Sequence, residues 1–128
     1  MIEVVAAILE NNDKILIARR KSGKNMAGFW EFPGGKKEIN ESDKEALKRE
    51  LMEELSIEVE LKNYIGESVY TYPDKTIKLT AYSGVITKGK IILSDHDEYK
   101  WVSFEEILNY KISPADIPLV EIYREKRG

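Results

Sequence analysis

Glu50, Glu53 and Glu54 crowd the end of a segment, residues 34–57, that reads GGKKEINESDKEALKRELMEELSI. Ser42 with Glu45 three residues on is a capping box, so the sequence predicts a helix over 42–55. That span holds no Gly or Pro, and Leu47, Leu51 and Leu55 recur at four-residue spacing, one apolar stripe over about three to four turns. At ~100° per residue, the three glutamates fall within an arc of roughly 100° beside that stripe. Like charges so spaced repel by about 0.2–0.5 kcal/mol per pair, and the helix dipole disfavours anions in the last turns. Arg49, four residues from both Glu45 and Glu53, offsets part of this but cannot neutralise three carboxylates. A cation would, and hard oxygen ligands suit Mg²⁺ or Mn²⁺. The alternative is an acid-rich, solvated surface helix, since Glu and Lys are good helix formers. Upstream, Pro33-Gly34-Gly35 permits a tight turn with close backbone approach, able to bring a carbonyl or amide to a metal–phosphate group.

The elements that must position these residues follow from patterning. Runs 4–9 and 14–20 are β-rich and joined by Glu10-Asn11-Asn12-Asp13, a hairpin signal. A polar loop over 21–25 precedes the aromatic segment Phe29-Trp30-Glu31-Phe32. Strands are expected at 57–62, by strict alternation, and at 64–72 and 76–86 around Pro73-Asp74-Lys75. Gly89 marks a turn, and a last short strand is expected at 98–102. Ser103 with Glu106 reads as a second capping box opening a helix through Leu108. A loop over 112–118 carries Asp116, and Leu119, Val120, Ile122 and Tyr123 give a C-terminal helix its apolar side.

With 128 residues the expectation is one domain, 1–128, of mixed α/β class. Composition, 42% hydrophobic and 34% charged, is that of an ordinary globular chain rather than a disordered or membrane-spanning one. The opening MIEVVAAILENNDK lacks a basic n-region and reads as a strand, so no membrane association is expected. The absence of cysteine excludes disulfides and thiol chemistry and makes cytoplasm the expected location. A net charge of −3 argues against a nucleic-acid polymer as partner but leaves room for a small phosphorylated one.

The 34–57 segment resembles the Nudix box: Gly, five residues, Glu, seven residues, Arg-Glu, an aliphatic, any residue, Glu-Glu, any residue, Gly, an aliphatic. Those positions read Gly35, Glu41, Arg49-Glu50, Leu51, Glu53-Glu54, Ser56 and Ile57; only Ser56, in place of glycine, departs. If Ser56 must end the helix in the left-handed conformation, the cost is about 1 kcal/mol. The resemblance runs nearly end to end with the MutT-type branch and its CTP pyrophosphohydrolase relatives, through MIEVVAAI, the GFWEFPGG run ending at Gly35, and Ser113-Pro114-Ala115-Asp116-Ile117-Pro118.

That resemblance implies a Nudix α/β/α sandwich with a mixed sheet. It also implies hydrolysis of a nucleoside triphosphate, pyrimidine or oxidised purine, to monophosphate and pyrophosphate, with two or more divalent ions holding the phosphates. Hydrolysis of another nucleoside diphosphate derivative, such as ADP-ribose, and nucleotide sensing without cleavage are the alternatives. The implied metal shell is Glu50, Glu53 and Glu54 with the carbonyl of Gly34 or Gly35. Glu41 is a peripheral ligand or a structural partner, and Arg49 orients carboxylates. MutT-type enzymes draw a further acid from the loop before the last strand. Counting back from Trp101, that is Asp95, with Asp97 and Glu98 as rivals and Glu53 as the other candidate base. His96 beside it reads as a solvated loop histidine, and Arg19 as a solvated cation. The expected substrate contacts are Arg20, Glu31, Phe32, Tyr72 and Asp116. For Phe32 and Tyr72 ordinary core is an equal alternative, and for Asp116 a helix N-cap is one. The MutT 8-oxo-dGTP enzymes typically carry Asn at the Asp116 position, and amide and carboxylate differ in hydrogen-bond pattern. The partner expected is a small nucleotide, bound by a monomer or homodimer.

Overall fold

In the computed structural model, which describes residues 1–127, the acid-rich helix is α1, Asp43–Leu55. It begins with the predicted reciprocal cap: the Glu45 N–H donates to Ser42 Oγ at 3.1 Å and the Ser42 N–H to Glu45 Oε1 at 2.9 Å. It ends at Ser56, whose φ of 60° is the left-handed conformation and whose N–H closes the last turn on Met52. Leu47, Leu51 and Leu55 are all buried, so the stripe is the packing face.

Strands β1 (Ile2–Asn11), β2 (Lys14–Arg20), β3 (Trp30–Glu31), β4 (Gly34–Lys36), β5 (Glu58–Tyr72), β6 (Lys75–Lys88) and β7 (His96–Ser103) join in one sheet system, followed by α2 (Ile117–Arg127). The order is β3-β2-β1-β6-β5, with β4 on β1 and β7 on β2. β1 and β6 are parallel and the other pairs antiparallel, so the sheet is mixed. The period-two alternation of β1 and β2 divides the core. Val5, Ala7, Leu9 and Leu16 pack with the leucines of α1, whereas Ala6, Ile8, Ile15 and Ile17 pack with Leu119, Val120 and Tyr123 of α2. Helices cover both faces, which is the α/β/α sandwich. The turn between β1 and β2 holds Asn12 and Asp13 at φ 50° and 64°, as the mirror-image two-residue hairpin requires. Among the described residues no helix is long and apolar enough to cross a membrane.

Several expectations change. Residues 57–62 and 64–72 are not two strands: β5 runs through, and register shifts between Leu61 and Gly66 absorb the break in alternation. Gly34-Gly35 is not a turn but strand β4, paired with Val5 and Ala6. The close approach is real, since a Cβ on Gly34 would lie 1.9 Å from the Val5 carbonyl oxygen. Ser103 does not make a capping box; its hydroxyl donates to Glu106 at 2.7 Å, and a 3₁₀ segment, Phe104–Asn109, follows in place of an α-helix. β7 starts earlier than expected, and His96, its first residue, is buried rather than solvated.

Candidate active site

The box residues meet distant parts of the chain at one cavity of about 350 Å³, within the usual size of a small-ligand site. α1 contributes Glu50 and Glu54, β4 Gly34 and Gly35, β2 Arg20, and β3 with its following residue Glu31 and Phe32. Asp95, Tyr72 and Asp116 complete the predicted set that lines it. Local folding explains the arrival of Asp116. β3 hydrogen-bonds on its free side to the 111–113 segment, through Trp30 N–H to the Lys111 carbonyl and Ser113 N–H to the Trp30 carbonyl, each at 2.8 Å. The next turn then presents the Asp116 carboxyl to the Phe32 N–H at 2.9 Å. Asp116 does stand at the N-cap position of α2, its carbonyl accepting from Leu119 and Val120, but its side chain serves β3 instead of capping the helix.

Burial sets the charge state of the acids. Glu54 is pushed up to about 8, first by burial, then by the adjacent Asp95 carboxyl and by Glu31 and Glu50. Its Oε2 is buried and no donor reaches it. Asp95 moves the other way: burial alone would raise it, but the Lys24 ammonium, 3.2 Å away, and the neighbouring Glu54 hold it low. Two carboxyl groups side by side require a proton or a cation between them. Glu50 is raised by burial, with Arg49 offsetting part of the effect. Asp116, fully buried, is raised well above the usual range by its desolvation and by Glu31.

These donors fit a hard divalent cation. An orphaned carboxylate oxygen, a second acid alongside it and Glu50 are all oxygen ligands. Gly35 leaves the space that Glu50 fills, since a Cβ there would lie 2.2 Å from Glu50 Oε2. Among the described residues no three acids already converge as a preformed cation cage; the arrangement is one of protonated and hydrogen-bonded carboxyls that a cation would draw together.

Arg49 organises the remaining acids. It grips Glu41 with Nε at 2.6 Å and Nη2 at 2.9 Å, and its Nη1 reaches Glu50 at 2.9 Å and Glu53 at 3.2 Å. Arg49 thereby holds Glu41 down to about 2, and Glu41 stands as a structural partner of that arginine. Glu53 is exposed, bonded to Arg49, and does not line the cavity. The rivals of Asp95 turn to Arg19 instead, with Asp97 at 2.7 Å and Glu98 at 3.4 Å. Arg19 is therefore paired, where a free solvated cation was expected. Arg20 faces Glu31 at 3.6 Å and donates from Nε to the Asn25 carbonyl. Phe32 is both core and cavity wall, and Tyr72 lies within hydrogen-bond distance of Ser113, its hydroxyl 3.1 Å from Oγ.

Lys24, Asn25, Met26, Lys75 and His96 escape the sequence reading, though the first four or their partners meet the cavity and His96 bonds Glu31. The loop cations carry no local signal. His96, a lone histidine beside the acid Asp95, was the one visible hint.

The NUDIX domain pattern matches residues 4–121. The chain is 43% identical over 128 residues to the CTP pyrophosphohydrolase of Escherichia coli (strain K12), covering 100% of this chain and 95% of that protein. It is 38% identical over 88 residues to an 8-oxo-dGTP diphosphatase of Proteus vulgaris, covering 69% of this chain and 77% of that one. Among solved structures, the MutT protein from Methanosarcina mazei Go1 superposes with a TM-score of 0.89 at 30% identity, over 99% of this chain and 96% of the other. With Glu50 and Glu54 of the box at one cavity and these matches across nearly its whole length, the chain belongs to the NUDIX domain family, as a hydrolase of its MutT-type branch, a family that works with divalent metals.

Proposed function

We propose that this protein hydrolyses a nucleoside triphosphate to monophosphate and pyrophosphate with Mg²⁺, and that the base is cytosine or an oxidised purine. The observation that carries the reading is a single cavity with cation-seeking acids, Glu54, Asp95 and Glu50, and a buried carboxyl, Asp116, bonded to the Phe32 N–H. The first set suits a metal-bound phosphate chain, and the second suits the edge of a base. The names of the relatives at 43% and 38% identity, CTP pyrophosphohydrolase and 8-oxo-dGTP diphosphatase, support the two base classes.

A bound divalent cation would neutralise phosphate charge and lower the pKa of an attacking water. Glu50 and Glu54, with the carbonyl of Gly34 or Gly35, hold it; Glu53 lends its charge to Arg49, which fixes Glu50. Asp95, held low by Lys24, would serve as the base for the attacking water. Arg20, its guanidinium tied to the 21–29 loop, presents positive charge to the bound nucleotide. At the other end, burial and Glu31 raise Asp116 well above the usual carboxylate range, which favours the form that can donate as well as accept, as an amide does. One oxygen accepts the Phe32 N–H and the other is left for the base, while Phe32 and Tyr72 supply ring contacts.

The test is pyrophosphate release with Mg²⁺ across CTP, dCTP, 8-oxo-dGTP, dGTP and ADP-ribose. Turnover of CTP, dCTP or 8-oxo-dGTP ahead of ADP-ribose is expected, and Asp116→Asn should reorder the bases more than it lowers total activity. Failure to cleave any triphosphate overturns the reading.

A further inference from the structure

We infer that His96 is a positioning residue for the nucleotide site, its Nε2–H fixing the Glu31 carboxylate in the cavity. The inference rests on the reading that a nucleotide binds there. The His96 side chain is 0% exposed, and its Nε2 lies 2.9 Å from Glu31 Oε2. A carboxylate oxygen only accepts, so Nε2 carries a ring proton and donates it, which leaves Nδ1 as the other ring nitrogen. That nitrogen is buried with no partner. A position that existed only for packing would be filled by Phe or Leu without such an orphan. What the imidazole gains in return is one hydrogen bond, and it goes to an acid that lines the cavity.

The backbone makes this contact rigid. β7 pairs with β2 along its length, and a register shift between Arg19 and Arg20 sets His96 opposite Arg20. Arg20 Nη1 stands 3.6 Å from the same oxygen, Glu31 Oε2. One hydrogen bond, from β7, and one ion pair, from β2, thus meet at one oxygen, and no hydrogen bond among the described residues occupies the other, Oε1. A glutamate free to rotate must be ordered by its ligand, whereas one fixed in advance need not be. His96 touches no part of the cavity itself and acts through Glu31 alone.

The test compares His96→Phe, which keeps a planar ring of larger volume and removes the donor, with His96→Gln, whose amide nitrogen can donate from near the Nε2 position. Both are checked for folding by circular dichroism. His96→Phe should raise KM for the preferred triphosphate by about tenfold, with the loss falling on KM rather than kcat, and His96→Gln should recover most of it. In a Glu31→Gln background His96→Phe should add less than about twofold. An unchanged KM, no rescue by Gln, or an equal loss in the Glu31→Gln background would each overturn the inference. A readout without turnover is the ¹⁵N spectrum of the imidazole, where Nε2 should be protonated, Nδ1 bare, and the Nε2–H resonance displaced by Glu31→Gln. A proton on Nδ1, or indifference to Glu31→Gln, would overturn it too. If no nucleotide is turned over while the spectrum is as expected, the nucleotide reading fails and the His96–Glu31 contact stands.

Discussion

Glu54 follows Glu50 by one helical turn, and the residue before β7 brings the Asp95 carboxyl alongside it, so burial and a second acid act together on one group. In the metal-free protein Glu54 holds its proton up to about 8, while in the unfolded chain it has lost it above the ordinary glutamate range. The folded state therefore binds more protons across that window, and its stability falls as pH rises toward 8. Asp116, raised by full burial, adds to the same slope. Glu41, held down to about 2 by Arg49, acts oppositely, its contribution lost only as pH falls into acid. The Tm of metal-free protein should thus decline from about pH 5.5 to about pH 8. Millimolar Mg²⁺ should raise Tm more at the alkaline end, where it competes with fewer protons. A Tm that Mg²⁺ leaves unmoved at both ends would count against these acids as its ligands. At this scale the sequence was only partly legible. The glutamates stood out because their spacing is local to one helix. The raised pKa of Asp116 and the burial of His96 depend on what β3 and β7 place around them, which no local spacing encodes.

Strand β4 and helix α1 are the pair of elements that shape the proposed metal end, and the two glycines of β4 do different work. A Cβ on Gly34 would strike backbone, the Val5 carbonyl, so Gly34 lets β4 lie against β1. A Cβ on Gly35 would strike the Glu50 carboxylate, a flexible end that can swing aside. Gly34→Ala should accordingly cost about 2–3 kcal/mol of stability, read by denaturant unfolding. Gly35→Ala should leave the midpoint nearly unchanged and lower kcat by about tenfold or more, because Glu50 is displaced. Equal stability losses in both would show that the two glycines serve only the sheet. Elements with local signals were legible: the Ser42–Glu45 cap, the leucine stripe, and the turns at Asn12-Asp13 and Pro73-Asp74. The glycine strand and the single long β5 were not, since pairing with β1 and β6 decides both. At Ser103 the same Ser-to-Glu spacing as at Ser42 gives a side chain-to-side chain bond and a 3₁₀ turn, so that motif alone does not specify an α-helix.

Seen as a whole, the molecule is a mixed sheet between two helical layers whose central strand, β1, bonds to β6 on one edge and to β4 and then β2 on the other. That arrangement carries the acids of α1, the glycines of β4, Glu31 of β3 and the Asp95 and Asp116 segments to one cavity, though they span residues 31 to 116. The mixed α/β class followed from alternation and hairpin signals, and the sandwich from the resemblance carried by the box. The meeting of Asp95 with Glu54 could not be read from either residue alone. On the proposed reading these buried carboxylates, Glu54 foremost, hold the cation for triphosphate hydrolysis. The most direct measurement is the rate of pyrophosphate release from CTP at saturating Mg²⁺ for wild type and Glu54→Gln. Wild type should turn over, and Glu54→Gln should lose about 100-fold or more with the fold intact by circular dichroism. A Glu54→Gln enzyme within a few-fold of wild type would contradict it.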